Sequence, residues 1–87
     1  MISQKITVHN PSGLHLRPAG NLCNIAIQYQ SNISFDYQGG NANAKSVLSV
    51  LGACVKCGDE ITLICEGEDE EEALKALVDA IENGLGE

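Results

Sequence analysis

The chain has 87 residues, 44% of them hydrophobic, and sets 5 Lys+Arg against 12 Asp+Glu for a formal charge of −7. This composition excludes a disordered chain and points to one domain over residues 1–87, near the lower size limit for a self-sufficient core. The longest mostly apolar stretch, Val47 to Val55, is broken by Ser49 and Gly52 and falls well short of the roughly 18 residues of a membrane span. No apolar signal segment follows the start, so a cytoplasmic chain without membrane insertion is expected.

Four segments alternate and three carry helical spacing. Ile2, Ile6 and Val8 share one face of a first strand, with Ser3, Lys5, Thr7 and His9 on the other. Pro11 and Gly13 mark a loop. Ala19, Leu22, Cys23 and Ala26 then form one helical stripe, and Pro18 is tolerated because it falls in the first turn. Ile33, Phe35 and Tyr37 alternate in a second strand, and Gly39-Gly40 turns into a short third strand near Asn41–Ala44.

A short helix is predicted after Ser46, using Val47, Val50 and Leu51. Ile61, Leu63 and Cys65 set the inner face of a fourth strand. In the last helix Asp69 is the expected cap, Glu72 lies three residues on, and Leu74, Leu77, Val78 and Ile81 form the buried stripe. Gly84 should end it and leave a frayed tail. The order β-α-β-β-α-β-α with one-sided alternation predicts an α+β fold. It is a two-layer open-faced sandwich, a four-stranded antiparallel sheet with three helices on one face.

Charge is unevenly distributed. Residues 1–45 hold Lys5, Arg17 and Lys45 against Asp36 alone, while the other eleven acids follow. The first third can therefore receive an anion without local repulsion. An acidic chain with one Phe, two Tyr and no Trp is a poor match for nucleic acid. Of the four cysteines, only Cys54 and Cys57 are suggestively spaced, and neither histidine completes a metal set, so no metal and no cofactor are expected. Cys23 and Cys65 fall on inward stripes. Gly39 through Ser46 is one residue from a P-loop, but it lacks glycine at Ala44 and a preceding parallel strand.

The chemistry concentrates in Gly13-Leu14-His15-Leu16-Arg17-Pro18-Ala19, where the first strand hands over to the first helix. His15 falls at the N-cap or within one residue of it. A helix start presents unpaired N–H groups and partial positive charge, which bind phosphate or carboxylate. Arg17 adds a forked donor. An imidazole spends much of its time unprotonated near neutral pH, which makes it a competent nucleophile. A lone histidine here would be read as a plain cap. Its company of an arginine and an acid-free helix start favours an anion site.

Gly13 to Ala19 resembles the active-site signature of the HPr family, the histidine-containing phosphocarriers of the bacterial phosphotransferase system. The resemblance runs through Ala44-Lys45-Ser46, the Gly58–Gly67 region, the Asp69-led helix and the closing Gly84-Leu85-Gly86-Glu87. It implies that His15 accepts phosphate on Nδ1 from enzyme I, itself charged by phosphoenolpyruvate, and passes it to IIA domains of sugar permeases. Arg17 would stabilise the phosphate. Such a protein is a monomeric carrier rather than a stand-alone turnover enzyme. Leu16 departs from the family's small residue, Gly20 stands where Ala or Thr is commoner, and Cys54 replaces a glycine that usually ends the second helix.

Ser46 has two readings. As a residue type it is a good N-cap for the apolar helix behind it. By resemblance it is a regulatory phosphoserine, made by HPr kinase/phosphorylase and read by a catabolite control protein. The same resemblance makes Val47, Leu48 and Leu51 part of an apolar patch that partners touch, where periodicity alone allows ordinary core. The rival function is a regulatory binding module signalling through Ser46. Related regulators lack the histidine, so its presence here favours the carrier.

Overall fold

The structure, a computed structural model, describes residues 1–86. The alternation is realised in β1 (Ile2–Thr7), β2 (Asn32–Tyr37), β3 (Gly40–Asn43) and β4 (Glu60–Glu66). They form one sheet in the order β1-β4-β2-β3, antiparallel at every pairing. Register places Ile2, Cys65 and Ile33 in one inward row, and Leu63, Phe35 and Ala42 in another. The opposite rows, Ser3-Ile64-Ser34-Asn43 and Lys5-Thr62-Asp36-Asn41, face outward and are almost wholly polar. β3 starts one residue earlier than its spacing predicts and ends before Ala44, whose N–H still donates to Ile33 at 3.0 Å. The P-loop look-alike is thus an antiparallel hairpin strand.

Helices α1 (Leu16–Ala26), α2 (Val47–Ala53) and α3 (Glu70–Glu82) cover the inward face, and α1 packs against both others. The predicted α1 stripe of Ala19, Leu22, Cys23 and Ala26 is buried. Leu22, Phe35, Ile61, Leu63, Leu77 and Ile81 are among the largest fully buried side chains. Each is worth about 1.5–3 kcal/mol of burial. In α3 the buried stripe is Ala73, Leu77, Val78 and Ile81, with Leu74 only half-buried at its margin.

Two expectations for α3 need correction. Asp69 holds the N-cap position, but its carboxylate makes no cap bond. It instead accepts from the Gln30 and Ser31 N–H groups at 2.9 Å each, and from the Ser31 hydroxyl. That contact ties α3 to the turn between α1 and β2, and the Ser31 hydroxyl holds the Asp69 carboxyl below its usual range. Glu70, the first residue of α3, accepts from Gly67 N–H at 3.2 Å and so closes the turn ahead of the helix rather than capping it.

The chain beyond α3 is not frayed through Gly86. Gly84–Gly86 forms a 3-10 turn that buries Leu85 to 3% exposure, and Asn21 Nδ2 donates to the Leu85 carbonyl at 2.6 Å. Glu87 lies outside the described residues.

Two backbone misfits give an early prediction. Cys54 caps α2 in the left-handed region at φ 58°, where a side chain is strained. Gly20 sits inside α1 with open space where a Cβ would go. Cys54→Gly should stabilise by about 0.5 kcal/mol, the relief partly offset by backbone entropy, and Gly20→Ala by about 0.5–1 kcal/mol. Thermal melts should show Cys54→Gly rising by about 2–4 °C and Gly20→Ala by about 2–8 °C. A fall in either melting temperature contradicts the local reading.

Candidate functional site

The approach to α1 is built before the helix begins. Buried Asn10 donates from Nδ2 to the Gly13 carbonyl, and Gly13 N–H donates back to the Asn10 carbonyl at 2.9 Å. Gly13 adopts φ +64°, and a Cβ there would stand 2.3 Å from the Val55 oxygen and 2.7 Å from the Lys56 Cα. Leu14 is buried, and its N–H donates to the same Val55 oxygen at 3.0 Å. The Val55–Lys56 segment therefore supports the chain on which His15 is mounted.

His15 is the N-cap of α1, with extended backbone at φ −80° and ψ −172°. It is exposed, and its ring makes no capping hydrogen bond. The plain-cap role is thus not what the imidazole does. The first intrahelical N–H is that of Ala19, on the His15 carbonyl at 2.8 Å. By helix geometry the amides of Leu16 and Arg17 remain open toward an anion, while Pro18 has none to offer. No acidic residue lies in this first turn. Arg17 is exposed and, among the described residues, engaged in no ion pair.

Beside α1, Ser46 caps α2, its hydroxyl accepting from Ser49 N–H at 3.2 Å. Leu48 is 83% exposed, whereas Val47 and Leu51 are half-buried against the core and Val50 is the buried residue of this helix. The predicted apolar patch is therefore surface at Leu48 and partly surface at the other two. Leu16, 63% exposed next to His15, adds a large apolar side chain. Lys45, next to Ser46 in sequence, has its Nζ on the Tyr29 carbonyl at 2.7 Å rather than near the Ser46 hydroxyl.

His9 is exposed on the loop after β1. Cys23 and Cys65 are buried, and burial pushes both thiols up, while Cys54 and Cys57 are exposed. Their sulfurs point to different acceptors, the Leu51 carbonyl at 3.7 Å and the His9 carbonyl at 3.4 Å. Among the described residues no cluster of His, Cys, Asp and Glu is arranged to hold a metal, and no helix is long and apolar enough to cross a membrane.

Sequence reasoning missed Asn10 and Asp59. The Asn-Pro-Ser-Gly run of Asn10 to Gly13 carried a usable turn signal. Gly58-Asp59 marked the turn that Asp59 closes on Lys56, but nothing local pointed to Tyr37, 22 residues away.

Residues 2–83 match the family described as PTS HPr component phosphorylation site. The phosphocarrier protein HPr of Lysinibacillus sphaericus is 41% identical over 88 residues, covering all of both chains. The multiphosphoryl transfer protein of Salmonella typhimurium is 41% identical over 90 residues, of which this chain spans only 24% of the length. The crystal structure of HPr from Thermoanaerobacter tengcongensis superposes with a TM-score of 0.96 at 40% identity, covering 100% of this chain and 98% of that one. With the fold, the exposed His15 at a helix start and these matches in agreement, the chain belongs to the HPr family of the phosphotransferase system.

Proposed function

We propose that this protein is a phosphocarrier that takes a phosphoryl group onto His15 from enzyme I and passes it to IIA domains of sugar permeases. The observation that carries the reading is the exposed imidazole, free of capping duty, at the open and acid-free first turn of α1. The ring nitrogen (Nδ1 by family resemblance) attacks phosphorus in line. A P–N bond forms as the bond to the donor atom on enzyme I breaks, and that electron pair leaves with the donor. The Leu16 and Arg17 amides and the Arg17 guanidinium meet the charge on the phosphoryl oxygens. Onward transfer reverses these roles, with His15 as leaving group. Neither step draws on a metal or cofactor of this chain.

The test is incubation with phosphoenolpyruvate and enzyme I, followed by intact mass. One acid-labile phosphate per chain is expected, and none would favour the regulatory reading.

That second reading rests on Ser46, half-buried at the start of α2 beside exposed Leu48. HPr kinase/phosphorylase would modify it, and a catabolite control protein would read the product. A phosphate adds about −1.5 to −2 charge at neutral pH next to an apolar surface. Lys45 is held on Tyr29 and is not poised to neutralise it. Aspartate is itself a good N-cap, so Ser46→Asp should leave the melting temperature nearly unchanged. It should slow phosphorylation of His15 by at least about threefold, through desolvation and repulsion at the partner surface. Paired rate and melting measurements on Ser46→Asp and Ser46→Ala check this. Wild-type transfer by Ser46→Asp returns Ser46 to a plain helix cap.

A further inference from the structure

Asp59 stands just before β4, half-buried, and its carboxylate does two things at once. Oδ2 accepts from the Lys56 N–H at 3.0 Å and from the Tyr37 hydroxyl at the end of β2. Its main chain closes the same turn, with Asp59 N–H donating to the Lys56 carbonyl at 3.0 Å. The end of β1 locks on from the other side. Val8 N–H donates to the Asp59 carbonyl at 2.9 Å, and Gly58 N–H donates to the Val8 carbonyl at 2.8 Å. The turn from Lys56 to Asp59 is thereby fixed to two strands.

Val55, the residue just before that turn, carries the site. The Val55 oxygen holds the Leu14 N–H at 3.0 Å, and Gly13 lies directly on Val55 and Lys56. Leu14 is covalently followed by His15. Resting on the carrier reading for what His15 does, we propose that Asp59 is a positioning residue for it, acting through Lys56, Val55 and Leu14. The carboxylate is suited to this because the Tyr37 hydroxyl, and after it the Lys56 amide, hold it below the usual carboxylate range and keep it an acceptor. The same contact pushes the Tyr37 phenol up, so the hydroxyl stays a donor. Asp59 touches no reacting atom.

Loss of this support should tell on the reaction more than on the fold. A displacement of about 1 Å far from the chemistry can cost up to about a hundredfold in rate, and here a support is relaxed rather than removed. Asp59→Ala cuts both side-chain bonds, whereas Asp59→Asn keeps an acceptor oxygen in place. With phosphorylated enzyme I as donor, well below each melting temperature, Asp59→Ala should lower the maximal transfer rate about tenfold. The half-saturating donor concentration should stay within about twofold, and Asp59→Asn should recover most of the rate. Amide exchange at Leu14 should accelerate in Asp59→Ala while that of Leu77 and Ile81 does not.

Wild-type maximal rate in Asp59→Ala, a loss confined to half-saturation, or Asp59→Asn as slow as Asp59→Ala would each overturn the assignment. If Asp59→Ala does not fold, Tyr37→Phe decides, with a slowing of about two- to threefold expected and an unchanged rate refuting. A wild-type chain that takes no phosphate defeats the carrier reading instead. Leu14 exchange in the Asp59 variants then decides the positioning role by itself, unchanged exchange overturning it.

Discussion

His15→Ala is expected to take up no acid-labile phosphate from enzyme I, yet to melt within about 4 °C of wild type. The fold loses little because the imidazole is exposed and makes no capping bond, and the His15 carbonyl keeps its bond from Ala19 in the variant. The reaction loses everything because the nucleophile is gone, and an open helix start binds an anion without forming a bond to it. Arg17→Ala separates the two contributions. Its guanidinium is exposed and unpaired among the described residues, so its removal should barely change stability. Transfer should slow by about tenfold or more, less than the roughly hundred- to thousandfold of an enclosed donor because Arg17 is exposed. Intact mass after incubation with phosphoenolpyruvate and enzyme I reads the first result, and stopped-time transfer the second. Phosphate uptake by His15→Ala at the wild-type rate would move the chemistry to the exposed His9.

The position of His15 was legible because every determinant is local. Pro18 has no N–H to lose in a first turn, the stripe from Ala19 to Ala26 sets the helix phase, and Gly13 permits the sharp entry. The strands were legible for the same reason, since a period of two with one apolar face admits few placements. The α3 cap misled because Asp69 is the residue type and position of an N-cap. A tertiary partner, Ser31, lies 38 residues away and takes its carboxylate. Leu85 was assigned to a frayed tail although Asn21, 64 residues back, holds it. Lys45 is next to Ser46 in sequence, but its side chain reaches the Tyr29 carbonyl in the turn after α1 instead. Each miss is a polar side chain choosing a distant backbone or hydroxyl partner, a choice periodicity does not encode. The patch on α2 lay between these cases. Spacing marked Val47, Val50 and Leu51 as one stripe, but packing against α1 and β3 buries only Val50 fully, leaving Val47 and Leu51 half-buried and Leu48 at the surface.

Gly13→Ala should be among the most damaging single changes of one methyl group in this protein. The native φ of +64° costs a residue with a Cβ about 1 kcal/mol or more. The new carbon would lie 2.3 Å from the Val55 oxygen and 2.7 Å from the Lys56 Cα, and both obstacles are backbone rather than the yielding end of a side chain. Relief requires Val55 to move away from Gly13, which stretches the bond it accepts from Leu14 and costs about another 1 kcal/mol. With residual overlap the total is about 3 kcal/mol, a large part of the stability of a domain this size. The expected fall in melting temperature is about 12–24 °C. Gly20→Ala, seven residues further along, makes the same chemical change in open space inside a helix and should move stability the other way. The opposite signs isolate the steric contact from any general effect of replacing glycine. Below its melting temperature Gly13→Ala should also transfer phosphate more slowly, because the displaced segment is the one that sets His15 over the first turn of α1. A melting temperature lowered by less than about 3 °C would mean that Val55 and Lys56 yield freely. The Asn10 turn would then be the firmer of the two supports on which the approach to His15 rests.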